Sequence, residues 1–181
     1  MAPIYDGDEN VRFALGRAGA SPIFIVGINP STANDQKSDP TVGRVEKLVA
    51  GWREFDGFVM LNLYPQRASK PKRLISPFDE KLKRLNAERI AAHLRSVSGA
   101  TVWAAWGDAF DRLDDFNACL LEILAQANGL GLRWKNCESL TLKHNPRHPL
   151  SGRPHVMTEK SQLTDFDIVK YLSRKGRKKS T

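Results

Sequence analysis

Three short apolar runs, "PIFIVGI" (22–28), "GFVMLNLY" (57–64) and "ATVWAAWG" (100–107), each stop at a turn signal, and the stretches between them have helical periodicity. Runs this continuously apolar suit strands buried on both faces, and an intervening helix returns the chain for a parallel neighbour. The helical stripes are Val45, Leu48, Val49 and Trp52 within 42–53, then Leu82, Leu85, Ile90 and Leu94 within 78–97. A third carries Phe116, Leu120, Leu121 and Leu124 within 114–127, with Asn128-Gly129 as its stop. "CESLTL" (137–142) completes the series as a fourth strand, and "SQLTDFDIVKYL" (161–172) reads as a terminal helix docking Leu163, Phe166, Ile168 and Val169. This order predicts an α/β fold with a parallel sheet covered on both faces.

A length of 181 residues suits one domain. The expected division is a single α/β domain over 1–173 and a flexible basic tail over 174–181, "RKGRKKST". No apolar run is long enough to span a bilayer and the N-terminus lacks a signal-peptide layout, so a soluble cytoplasmic protein is expected, with no membrane and no obligate protein partner. Cys119 and Cys137 lack metal or redox spacing and read as structural thiols. The balance of 28 Lys+Arg against 20 Asp+Glu, a formal +8, favours an anionic partner.

Ligands of such sheets bind beyond the carboxyl ends of the strands. The segments to weigh are therefore 29–39, 62–73, 107–108 and 144–151, and they are polar in a convergent way. They hold Asn29, Ser31, Asp35 and Asp39, then Asn62, then His144, Asn145, Arg147 and His148. Amides read base edges, and the basic cluster Arg67, Lys70, Lys72 and Arg73 suits phosphates. No phosphate-loop, dinucleotide or serine-hydrolase signature occurs.

These segments carry a resemblance. "VGINPS" resembles the first motif of the uracil-DNA glycosylase superfamily in its mismatch-specific G-I-N-P form. "VMLNLYPQR", "VWAAWGDAF" and "HNPRHPLS" are similar to the superfamily's second-strand segment, third strand and second motif. A closer likeness, over about residues 10 to 152, is to a bacterial and phage domain of unknown function, number 1643. Its members read roughly L-N-P-S-T-A…D-P-T…R, N-L-x-x-x-R-A, W-G and H-P-R-H-P-L.

The resemblance implies a three-layer α/β/α sandwich, uracil-DNA glycosylase-like, with a central four-stranded parallel sheet and a flipped-base pocket at its carboxyl end. It implies an N-glycosidic bond hydrolase acting on a damaged or modified pyrimidine in DNA, less readily RNA, with no cofactor and no metal. Asn29 would position the attacking water, and Asp39 or Asp35 could supply a carboxylate. Gly27, Ile28, Pro30, Ser31, Asn62, Tyr64 and Asn145 would surround the base, with Tyr64 a possible stacking ring. Arg44, Arg67, Lys70, Lys72, Arg73 and Arg147 would meet the nucleic-acid backbone, and Arg147 or His148 would act as a wedge or leaving-group stabiliser. Ser31 departs from the Gly or Tyr of several branches, and Arg147 from the usual Ser.

Plainer readings stand beside these. Asn29-Pro30 also suits a turn, Asp39 (or Thr41) a helix cap, Asp35 a solvated loop and Asn62 a structural amide. His144, His148 and His155 form a weak zinc set without an acid or thiolate partner. Two other functions fit as alternatives: an enzyme of the same fold acting on a free nucleotide or modified nucleobase, and a non-catalytic nucleic-acid binder.

Overall fold

The computed structural model of the chain describes residues 3–34, 38–70, 74–152 and 154–177. Its strands are β1 (Pro3–Gly7), β2 (Arg12–Arg17), β3 (Pro22–Gly27), β4 (Gly57–Asn62), β5 (Thr101–Ala104), β6 (Arg133–Cys137) and β7 (Leu163–Asp165). The helices are α1 (Pro40–Gly51), α2 (Glu80–Arg95), α3 (Asp115–Gln126) and α4 (Ile168–Arg177), with a 3-10 turn over Gly107–Arg112. All seven strands form one sheet in the order β1-β2-β4-β3-β5-β6-β7.

The α/β class holds, but the sheet is mixed and larger than the expected four parallel strands. β4, β3, β5 and β6 run parallel, while β1 and β2 on one edge and β7 on the other pair antiparallel. The first three expected strands are β3, β4 and β5. The fourth lies earlier than expected: β6 ends at Cys137, and Glu138 adopts φ 61, which turns the chain out of the extended conformation. The expected terminal helix is two elements, β7 and then α4, whose first turn is capped by Asp167 accepting from the Lys170 N–H. Of the residues expected to dock it, Phe166 is buried but Val169 is 72% exposed, and Tyr171 takes the inner position instead. α4 continues to Arg177, so the first part of the expected tail is helical, and residues 178–181 lie outside the described ones.

Alternate residues of each inner strand enter opposite layers. Phe24 and Val26, Val59 and Leu61, Val102 and Ala104 pack with Ile90 and Leu94 of α2, Phe116 and Leu120 of α3, and Tyr171 of α4. Ile23 and Ile25, Phe58 and Met60, and Trp103 pack with Val45, Leu48 and Val49 of α1 on the other face. Leu85, expected on the inner stripe of α2, points outward and is 39% exposed. Cys119 and Cys137 are buried free thiols, each pushed up to about 12 by burial. Among the described residues no helix is long and apolar enough to cross a membrane.

Candidate functional site

From β3 the chain pairs with β4 on one side and β5 on the other, so the crossovers diverge at β3. That divergence opens a crevice beyond the carboxyl ends of the strands. A cavity of about 440 Å³ occupies it, lined by residues from β2, the β3 and β5 ends, the start of α1, Asn62 and the loop around His148.

Of the expected site residues, Gly27, Ile28, Asn29, Ser31, Asp39, Asn62 and His148 line this one cavity. Asn29 follows β3 directly, and its Nδ2 donates to the carbonyls of Pro30 at 3.0 Å and Ala68 at 2.7 Å. Both amide hydrogens are thus committed, and Oδ1 is the atom that Asn29 can offer to the cavity. Pro30 does not line it; its ring is buried and its carbonyl also receives the Ala68 N–H. Asp39 is both pocket wall and helix cap, its Oδ1 accepting from the N–H groups of Thr41 and Val42 at 2.9 Å each. The cap that sequence left between Asp39 and Thr41 belongs to Asp39.

Asn62 ends β4 and is 2% exposed, with Nδ2 lacking any hydrogen-bond partner. Asn86 of α2 donates to the carbonyls of Asn62 and Leu63 and so holds the strand end in place. Gly27 makes room for the amide, since a Cβ there would sit 3.2 Å from Asn62 Oδ1. His148 Nδ1 accepts the Leu150 N–H at 3.1 Å, so the neutral ring carries its proton on Nε2. Burial pushes the imidazole below its ordinary value, against the opposing pull of the Asp39 charge. The ring's backbone packs against Gly107, which has φ 62 and whose absent side chain would come within 3.1 Å of His148 Cβ.

Other expected residues go elsewhere. Tyr64 is 2% exposed, stacks on Phe78 with ring centroids 3.9 Å apart, and accepts the Asp79 N–H at its hydroxyl, so it is core and cannot stack on a base. Asn145 is fully buried and saturated: Nδ2 donates to Asp108 and Asp111, and Oδ1 accepts from Tyr171. It braces the site without lining it. Arg67 donates to the carbonyls of Asp8, Ser31 and Ala33 and to the Tyr5 hydroxyl, tying the N-terminal hairpin to the first site loop. Arg147 is turned onto Ser139 and Leu140, and Arg44 onto the Met157 carbonyl. Three cations expected on phosphate are therefore internal struts, and the wedge role of Arg147 falls with them. Lys70 is exposed, whereas Asp35, Lys72 and Arg73 lie outside the described residues. The zinc set does not assemble, since among the described residues no three His, Cys, Asp or Glu side chains form a metal-binding group.

Residues 12–150 match the family described as "Protein of unknown function (DUF1643)". The chain belongs to that family. No curated protein and no solved structure matches it. The matched span of this DUF1643 member contains every residue lining the cavity, from Arg12 to Leu150, and leaves β1, β7 and α4 outside.

Two charged lining residues, Arg12 and Asp108, had no role assigned from sequence, although Asp108 falls in the weighed segment 107–108. Arg12, at the start of β2, is 2% exposed and donates from Nη1 to the Ala33 carbonyl at 3.1 Å. The available signal was a charge opening the otherwise apolar run "RFALG", which carries meaning only once that run is recognised as a buried strand. Asp108, after β5, accepts from the Thr141 hydroxyl at 2.6 Å and from Asn145 at 2.9 Å. Burial raises its pKa, but these bonds with the charges of Lys143 and Lys175 outweigh that and hold the carboxyl below its ordinary value. The cavity thus offers an oriented amide oxygen, two carboxylates, an imidazole N–H and two buried donors.

Proposed function

We propose that this protein is a base-excising hydrolase of uracil-DNA glycosylase type, acting on a damaged or modified pyrimidine flipped into the cavity. The observation that carries the reading is the convergence of Asn29, Asp39, Asn62 and His148 on one cavity at the point where the crossovers diverge. Four parallel inner strands with helices on both faces are compatible with the sandwich such an enzyme would use.

In this mechanism Asn62 offers a buried N–H donor to the base edge. The Asn29 oxygen accepts a hydrogen bond from the attacking water, with the Asp39 carboxylate on the same wall. His148, neutral, donates from Nε2 to the departing base. The reaction passes through an oxocarbenium-like transition state as water adds to C1′.

A smaller ligand is the second reading, because Arg44, Arg67 and Arg147 are committed to the protein's own backbone and polar groups. An enzyme acting on a free nucleotide or modified nucleobase needs fewer phosphate contacts than a strand binder. The deciding experiment incubates oligonucleotides carrying uracil, hydroxymethyluracil, mismatched thymine and glucosylated bases, then reads abasic sites by alkaline cleavage and released bases by mass spectrometry. Excision of at least one, lowered about 100-fold by Asn29→Ala through a misplaced water, supports the proposal. A panel that stays intact, with release of bases from free nucleotides, replaces it with the second reading.

A further inference from the structure

Among the described residues, five buried side-chain polar atoms lack a hydrogen-bond partner, and two of them, Arg12 Nε and Asn62 Nδ2, belong to side chains lining the same cavity. Both are donors. A buried donor left unpaired costs about 1–3 kcal/mol, and more when it is charged, so two at one cavity indicate a ligand that brings acceptors to them.

Arg12 contributes a full charge as well. Its backbone N–H donates to the Pro65 carbonyl at 2.9 Å and its Nη1 to the Ala33 carbonyl, so the residue is anchored at both ends. Among the described residues no carboxylate lies within ion-pair distance of it. Asp39 acts on it at longer range, and that carboxylate already caps α1. Burial pulls the guanidinium down to about 10, so it remains cationic at neutral pH. An unpaired cation in a low-dielectric site is costly alone and strongly favourable once a negative charge enters.

We propose that Arg12, with Asn62, forms an anion subsite in the cavity, and that the charge it takes is the one carried by the pyrimidine as it leaves. This rests on the base-excising reading above. As the C1′–N bond breaks, its electron pair departs with the pyrimidine; water oxygen bonds to C1′ and its proton passes to solvent. The ring holds the negative charge until it is protonated, and Arg12 stabilises that charge where water cannot. Asn29 is a weak base, so the burden falls on the leaving group. A buried cation is the chemical answer to that burden.

The test compares two free pyrimidines of the same ring size by calorimetry on the whole protein at neutral pH: barbiturate, which is anionic, and uracil, which is neutral. Wild type should bind barbiturate about 10- to 100-fold more tightly, the range for a hydrogen bond to a charged group. Arg12→Gln should bring the two within about twofold of each other, and Arg12→Lys should retain much of the preference. Single-turnover excision of 5-substituted uracils should depend more steeply on leaving-group acidity in Arg12→Gln than in wild type, which a purely structural residue would not produce. If wild type binds uracil as well as barbiturate, the subsite is wrong while the base pocket stands. That comparison needs no variant and decides the matter even if Arg12→Gln fails to fold. If inorganic phosphate binds and neither pyrimidine does, the base-excising reading falls together with the subsite.

Discussion

Asn29 shows how much one amide can be asked to do. Its Nδ2 bonds to the Pro30 and Ala68 carbonyls, joining the first site loop to the second. Asn29→Asp, which would nominally add a general base, places an acceptor against two acceptors. The expected outcome is a loss of about 1–3 kcal/mol in urea unfolding with no gain in excision rate; a stable, faster variant would show that the amide hydrogens are dispensable. His148 gives a second test. Its folded pKa is depressed, so its contribution to stability is complete above the ordinary value of 6.5 and is lost as pH falls through the lower folded value. The thermal midpoint should therefore drop on acidification below about 6.5, and the drop should be smaller in His148→Asn; His93, also lowered by burial, supplies the part that remains. Asn29 and Asn62 were legible in the sequence because each follows or ends an obvious apolar run, whereas Asp39 and His148 stood out as members of the polar segments 29–39 and 144–151. Tyr64, Asn145, Arg67 and Arg147 were misassigned because the side chains that suit a ligand suit backbone carbonyls and buried partners equally well.

Among the elements, α4 has the least expected part. Trp106 Nε1 donates to the Tyr171 hydroxyl at 3.1 Å, and Tyr171 donates onward to Asn145 Oδ1 at 2.8 Å. Asn145 then donates to Asp108 and Asp111, and Lys175 of the same helix pairs with Asp111. A helix outside the family match is thus linked through two hydrogen bonds in series, Tyr171 to Asn145 and Asn145 to Asp108, to a carboxylate lining the cavity. Tyr171→Phe leaves the Trp106 N–H and the Asn145 oxygen unpaired in the core, which should cost about 1–3 kcal/mol for each group exposed to that loss. Denaturant unfolding measures it; an unchanged midpoint would mean that water or a rearranged Asn145 takes the place of the hydroxyl. The elements that sequence missed share a physical reason. β1, β6 and β7 lie at or near the sheet edges and are partly exposed, with residues such as Lys135 and Asp165 diluting the apolar signal, while β2, though buried, is short and begins and ends on Arg12 and Arg17. Inner strands have no such freedom, so β3, β4 and β5 read clearly.

For the whole molecule, a formal charge of +8 overstates the cations available to a strand. With Arg44, Arg67 and Arg147 engaged internally, Lys70, exposed beside the cavity-lining Ser69, is the described member of the expected set free to meet phosphate. In anisotropy titrations over a salt series, Lys70→Ala should reduce the slope of log affinity against log salt by about 0.9, the value for one phosphate contact. Arg67→Ala should leave that slope unchanged and lower stability instead. A slope lost with Arg67 would reverse the assignment. The sequence by itself determined the α/β class, the three inner strands and the end of the sheet where polar residues gather, because burial on both faces forces a continuous apolar run that little else produces. Only the tertiary structure decided which of those polar side chains share a cavity, since that depends on where diverging crossovers leave space. It alone brought Arg12 into that cavity, because β2 reaches the site through its pairing with β4 and its own residues carry no mark of that neighbour.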